Sequence, residues 1–448
     1  MIVIPMVYLL SDLGFSTYLL QSDDVDQRTL STAFWTSVTA GVVLSGALVA
    51  LAPLLADAFR LPELAQVLRA MVIAIVPTVL AGVPLAMLRR AMAFRVVAIQ
   101  ALVAALLAQA TAVAIALSGG GVWALVGQLA VAQWVIAILA WRSARWLPSL
   151  SLSVSLFRHM AIFGIRVSGV DFVAISRVWA ESWIITVTLG PAAMGLFNIA
   201  QRLVQVAQEL TAASLVPVST VVFAKVRESQ DRLRGTYVKA LGVAYAVVSP
   251  LMILIVVTAP VMVPTLFGEK WRASVPPTQA LALAGIITLG AMLDHGLFYG
   301  LGRPGSWLRY SIVVDTATVA TTAIAVRWDL RGVAIGFVIV AVLATVARWV
   351  LVARLLGLPP RVVARPFFTI LGPTAITVVL GGLLFRSLSG SHAPWVVLVV
   401  AGGATVIVYL VLLRLLAQKV IRDALGILPV PQRYADRVAR LLLLSHLT

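Results

Sequence analysis

Residues 194–224 read MGLFNIAQRLVQVAQELTAASLVPVSTVVFA, a run long enough to cross a bilayer as one helix. Asn198, Gln201, Arg202, Gln205, Gln208 and Glu209 recur in it at helical spacing. At about 100° per residue these six fall within an arc of roughly 120°. One face of an otherwise apolar helix is therefore wet. An ionisable group at membrane depth costs roughly 2.5–3.5 kcal/mol on insertion scales, so it faces a cavity or a partner and not lipid. The stretch reads as one helix of a membrane protein with a hydrated interior, the arrangement of a protein that moves a solute.

The rest of the chain fits that reading. Of 448 residues 61% are hydrophobic and 11% charged, and the mean hydropathy is +1.03, which defines an all-α polytopic membrane protein. The absence of cysteine excludes a disulfide framework and thiolate chemistry. The four histidines, His159, His295, His392 and His446, are scattered, so no metal site is expected. There is no P-loop, no HExxH, no nucleophile elbow and no acidic cluster for a metal-bound sugar nucleotide. The chain reads as a transporter, with no enzymatic function and no cofactor.

Further apolar runs lie at about 1–20, 33–54, 67–88, 96–117, 122–141, 160–189, 239–260, 276–298, 305–326, 332–353, 366–385 and 394–416, giving about thirteen spans. Gly190-Pro191, Gly302-Arg303-Pro304 and Pro359-Pro360 punctuate them. The net charge of +17 would suggest nucleic acid in a soluble chain. Here the basic residues sit in short loops and divide between alternate loops roughly three to one, which reads as topology, not nucleic-acid binding. That asymmetry puts the C-terminus in the cytoplasm and, with thirteen spans, the N-terminus outside. Met1 opens directly into apolar sequence, so either a preceding helix is lost or the start is assigned late. The tail, with Arg433, Arg437 and Arg440 around Leu441–Leu444, reads as a basic amphipathic helix on the inner leaflet.

Phe59–Arg95 and Phe267–Arg309 share a layout at an offset of about 210: a short loop, a helix with internal Gly or Pro, and a basic exit. Either an internal repeat or chance likeness between apolar helices accounts for it.

Charges inside the spans carry the candidate sites. Arg166, Arg177 and Glu181 share one face of the 160–189 run, and Arg177 and Glu181 are an i, i+4 pair. Arg166 and Arg202 have no acid at adjacent helical spacing, so each is a candidate for an anionic ligand. Arg suits a phosphate because its planar fork donates two parallel hydrogen bonds and stays charged. Asn198 and Gln205 flank Arg202 on the stripe. A second polar face, Ser311, Asp315, Thr318 and Thr322, could line the same cavity against sugar hydroxyls, or its threonines could back-bond to their own helix. Asp294 and His295 admit either a proton-coupling role or a satisfied histidine near a helix end. Glu181 is a further coupling candidate, as is Asp12, which alternatively caps the turn at Gly14. Arg89, Arg90, Arg95 and Arg303, with Arg309, read as positive-inside signals that could also gather a lipid headgroup.

Several strings, taken in order, resemble one family. They are Asp12-Leu13-Gly14-Phe15-Ser16-Thr17, Ser31-Thr32-Ala33-Phe34-Trp35, Leu88-Arg89-Arg90 with Phe94-Arg95, Gly121-Val122-Trp123-Ala124 before Gly127-Gln128-Leu129, Gly195-Leu196-Phe197, Arg202-Leu203-Val204-Gln205, Phe267-Gly268-Glu269-Lys270-Trp271 and Leu301-Gly302-Arg303-Pro304. Across residues 12 to about 305 the chain resembles the bacterial polysaccharide-biosynthesis flippases for lipid-linked oligosaccharides. The likeness is greatest to the colanic-acid-exporter-like branch of the multidrug/oligosaccharidyl-lipid/polysaccharide superfamily.

That resemblance implies two six-helix lobes plus a C-terminal helix pair, in the bacterial inner membrane. On this chain it maps to an N-terminal lobe at 1–146 lacking the family's first helix, a second lobe at 147–356, an added pair at 357–416 and a tail at 417–448. It implies alternating access that carries a polyprenyl-diphosphate-linked glycan to the outer leaflet, with the diphosphate in a central basic cavity, and a polysaccharide polymerase as a partner downstream. Where relatives carry Asp followed by Gly-Arg or Gly-Lys, this chain has Glu181 and Thr186-Val187, which keeps the carboxylate and loses a cation. The alternatives are a cation-coupled drug antiporter of the same superfamily and a truncated, non-transporting scaffold.

Overall fold

The computed structural model describes residues 15, 18–19, 25–226, 229–388 and 393–427. All regular structure among them is helical, as expected of a backbone that must satisfy its own polar groups in lipid. Contacts divide the chain into two compact units, Met1–Trp183 and Ile184–Thr448.

The first unit holds α1 (Gln27–Ala58), α2 (Leu64–Arg90), α3 (Phe94–Leu117), α4 (Trp123–Ala144) and most of α5 (Val154–Leu189). Asp26 caps α1, its carboxylate accepting the Thr29 backbone N–H at 2.8 Å. Helices α1 and α2 approach closely at Gly41, where a Cβ would lie 2.8 Å from the Val79 side chain. Leu48, Ala52, Leu68, Met71, Ile75 and Val79 pack into one buried cluster, against which Trp179 of α5 rests. A second, aromatic cluster joins Phe34 to Trp141 and Trp146 edge to face, at 5.6 and 5.8 Å between ring centres. The outer faces of α3 are apolar and open, with Leu102, Leu106 and Leu117 all exposed, as suits a surface solvated by lipid.

Residues 145–153 connect α4 to α5 in extended form and are sewn onto the start of α1. Gln27 donates to the Leu147 carbonyl at 2.7 Å and accepts from the Trp146 indole at 2.6 Å. The Ser31 hydroxyl accepts from Ser149 N–H at 2.9 Å, the Trp35 indole donates to the Ser149 carbonyl at 2.9 Å, and Thr32 accepts from Ser153 N–H at 3.2 Å. A segment with no ladder of its own thereby satisfies its backbone on side chains from two helical turns.

The second unit holds α6 (Pro191–Val226), α7 (Gln230–Phe267), a 3-10 turn (Glu269–Ser274), α8 (Val275–Thr288), α9 (Gly290–Gly300), α10 (Pro304–Ala325), a 3-10 turn (Val326–Trp328), α11 (Asp329–Leu356), α12 (Pro360–Leu388), α13 (Pro394–Leu416) and α14 (Gln418–Ile427). Its centre is α7, which buries Tyr237, Leu241, Tyr245, Met252, Ile253 and Val263. Around it pack α6, α8, α12 and α13, with Tyr409 of α13 donating to the Ala246 carbonyl at 3.0 Å. Arg234 closes the C-terminal end of α11 by donating to the Leu356 carbonyl at 2.8 Å, where a cation also complements the helix dipole. The short α14 rests on α7, its Val420 facing Gly242 and its Asp423 4.0 Å from Lys239.

Each apolar run from residue 33 onward is a helix, with two differences. The run at 276–298 is broken at Leu289 into α8 and α9. The runs at 305–326 and 332–353 form one helical stretch, Gly305–Leu356, folded on itself where Gly332 meets the Ala325 carbonyl. Ten stretches among the described residues are long and apolar enough to cross a membrane, against the thirteen spans expected. Apart from residues 15 and 18–19, the run at 1–20, with Asp12, lies outside the described residues, as do the tail beyond 427 and the Arg166 side chain.

The two segments with matching layout end in the same turn. Ala93 N–H bonds the Leu88 carbonyl and Met92 N–H the Arg89 carbonyl; Arg303 N–H bonds the Phe298 carbonyl and Gly302 N–H the Tyr299 carbonyl. Met92 and Gly302 both have positive φ, 54° and 68°, and they stand 210 positions apart.

Candidate functional site

Two polar constellations and one buried network stand out from the apolar background. In the first unit, Arg177 Nη1 donates to Glu181 Oε1 at 2.7 Å, one helical turn along α5. Glu181 is buried and Arg177 about a quarter exposed, so the carboxylate fixes a guanidinium that still reaches the surface of the unit. The expected i, i+4 neutralisation is present.

In the second unit, α6 presents a polar face. Asn198, Arg202, Gln205 and Glu209 are exposed, while Phe197, Ala200, Val204 and Ala207 on the other side are buried. Pro191, Gly195 facing the Trp271 ring, and the apolar stripe set that orientation. Arg202 Nη1 lies 3.6 Å from Glu209 Oε1 with both side chains more than half exposed. The reading that Arg202 lacks an acid partner is thus corrected: residues two turns apart lie on one helical face, and two long side chains span the gap. An exposed pair of this kind is worth about 0–1 kcal/mol.

The other candidates separate. Asp294 and His295 point apart: Asp294 is fully buried, whereas His295 is half-buried and stacks on Tyr299 with ring centres 4.2 Å apart. Asp315 on α10 is half-buried and engaged with neighbouring groups. Thr318 and Thr322 donate to the Val314 and Thr318 carbonyls of their own helix at 2.7 and 2.9 Å, the back-bonding alternative. Arg89, Arg95 and Arg303 are exposed at helix ends. Arg90 is exposed too and donates to the Leu19 carbonyl at 2.9 Å.

The buried network was missed from sequence. Arg348 of α11 pairs with Asp294 of α9, both wholly unexposed. Tyr237 donates to Asp294 Oδ1 at 2.6 Å, and Arg348 Nη2 donates to the Tyr245 hydroxyl at 3.2 Å. Two lone opposite charges in separate spans are the signal that could have found the pair, since charges in lipid must be compensated. No group of three metal-ligating side chains exists among the described residues.

Fold and polar faces together define a polytopic membrane protein of transporter architecture. Its helices superpose on the lipid II flippase MurJ in an inward closed conformation with a TM-score of 0.72, at 12% identity over 94% of this chain and 90% of that one. An inward-facing multidrug resistance transporter of the MATE family gives 0.64 at 16% identity over 78% and 88%. The chain belongs to the polysaccharide biosynthesis protein family, which it matches over residues 1–276. It is 24% identical to the teichuronic acid biosynthesis protein TuaB of Bacillus subtilis over 85% of this chain and 79% of that one. It is also 24% identical to the succinoglycan biosynthesis transport protein ExoT of Rhizobium meliloti, over 94% and 86%. With the lipopolysaccharide biosynthesis protein WzxC of Escherichia coli it shares 21% over 80% and 73%.

Proposed function

We propose that the protein is a flippase of the bacterial cytoplasmic membrane that carries a polyprenyl-diphosphate-linked oligosaccharide from the inner to the outer leaflet, by alternating access, for surface polysaccharide synthesis. The observation that carries the reading is the exposed Arg202, with Asn198 and Gln205 beside it on α6, in a chain of this family. Membership and the names of the relatives supply the glycan context. A guanidinium offers two parallel donors to a diphosphate, and the amides offer donors and acceptors to sugar. Arg177 and Arg166 on α5 are assigned to anion contact, and Asp315 to sugar hydroxyls. Arg89, Arg90, Arg95 and Arg303 are assigned to headgroup capture at the cytoplasmic face. Glu181, Asp294 and His295 are the coupling candidates among the described residues, and Asp12 the one outside them. A drug antiporter for cations would call for the opposite sign at Arg202.

Undecaprenyl diphosphate added to the purified protein in detergent should raise its thermal midpoint saturably. Arg202→Ala should lose that response while keeping the unliganded midpoint, because Arg202 is exposed. An equal response in both proteins would remove Arg202 from the site.

A further inference from the structure

The break between α8 and α9 lies beside the buried charge pair, and the two features fit one another. The Ile287 carbonyl at the break accepts from the Thr345 hydroxyl at 3.1 Å and the Tyr245 hydroxyl at 3.4 Å, side chains of α11 and α7. Next to it Gly290 leaves the space a side chain would take. A Cβ there would meet the Arg348 guanidinium, 2.8 Å from Nη2 and nearer still to Nη1. Around that guanidinium stand the Asp294 carboxylate and the Tyr245 hydroxyl, with the Tyr237 hydroxyl on the carboxylate's other oxygen. Arg348 and Asp294 have no exposed surface, and Tyr237 and Tyr245 are buried.

The Asp294 carboxylate and the Tyr245 hydroxyl at the guanidinium, with the Tyr237 hydroxyl on the far carboxylate oxygen, are hard oxygen donors of the kind a small inorganic cation takes. Here the positive charge among them arrives on a side chain. Arg348 keeps its charge at every physiological pH and cannot diffuse away. Gly290 is the space that admits it.

We propose that Arg348 is a tethered cation filling an oxygen-lined site at the α8–α9 break, so that this site takes up no exchangeable ion in the native protein and becomes a monovalent-cation site when the guanidinium is removed. The inference does not depend on the transported substrate. It assigns Asp294 to a permanent counter-charge and leaves ion coupling, if the transporter uses it, to other residues.

The test is thermal unfolding of the purified full chain in sodium, potassium, guanidinium at millimolar concentration, or choline. The native protein should show the same midpoint in sodium, potassium and choline. Arg348→Ala should be destabilised in choline and recover by about 3 °C or more in sodium or dilute guanidinium, saturably. The double variant Asp294→Asn with Arg348→Ala should lose that recovery. Arg348→Gln, closer in length, serves as a second variant and should respond in the same way but less. A native protein stabilised saturably by sodium through Asp294 would overturn the proposal. So would Arg348→Ala and Arg348→Gln variants that stay indifferent to every cation, or that cannot be folded in any of them.

Discussion

Arg348 and Asp294 stand 54 residues apart in sequence and form an ion pair in which neither side chain has any exposed surface. The pair ties α9 to α11, and the tyrosines extend the tie to α7. Removing one member leaves a buried, uncompensated charge, which costs about 3–5 kcal/mol, whereas replacing both with apolar side chains of similar volume is often neutral. Asp294→Ala should therefore lower the thermal midpoint sharply, and Asp294→Leu with Arg348→Met should recover most of the loss. Thermal unfolding in detergent measures both. Additive losses in the double variant would show that the two charges do not compensate one another.

Two glycines of α1 should respond to alanine with opposite signs. A Cβ at Gly46 meets nothing within 4 Å, so Gly46→Ala gains helix propensity, about 0.5–1 kcal/mol. At Gly41 the new methyl would press on Val79 at 2.8 Å, a β-branched side chain with little rotamer freedom. Gly41→Ala should therefore destabilise by about 1–3 kcal/mol. The thermal midpoints of the two variants are the measurement.

The 145–153 segment should resist proteolysis despite having no secondary structure. Arg145 is exposed and offers a trypsin site at its edge. Ser31→Ala combined with Trp35→Phe removes three hydrogen bonds to Ser149, about 1 kcal/mol each. Cleavage at Arg145 should accelerate by about tenfold or more if local opening limits it. An unchanged cleavage rate would mean that the segment is held by something other than those bonds.

How much of this was legible in the sequence differs by kind of feature. Helices announced themselves because lipid demands long apolar runs, and the polar face of α6 followed from the 3.6-residue period alone. The Arg177–Glu181 pair was equally readable, being local. What the sequence hid is non-local. Arg348 lies within the 332–353 run, but nothing in periodicity joins it to Asp294, since the period does not say which of several helices will face which. The 145–153 attachment depends on bonds between residues 114 to 121 positions apart, and serine and threonine at a helix start read more naturally as caps. The break at Leu289 carries no proline, and Gly290 alone does not distinguish a break from close packing. Arg202 is the intermediate case: its acid partner Glu209 lies on the same stripe at i, i+7, two turns away and beyond the i, i+4 reach by which local pairs are read.

The measurement that tests the central claim most directly is translocation of a fluorescent short-chain polyprenyl-diphosphate oligosaccharide in proteoliposomes, comparing the native protein with Arg202→Ala and Arg202→Lys. The flippase account predicts transport by the native protein, a loss of about tenfold or more in Arg202→Ala, and partial retention in Arg202→Lys, which keeps the charge but not the planar fork. Absence of transport by the folded native protein, or a rate in Arg202→Ala equal to that of the native protein, would contradict it.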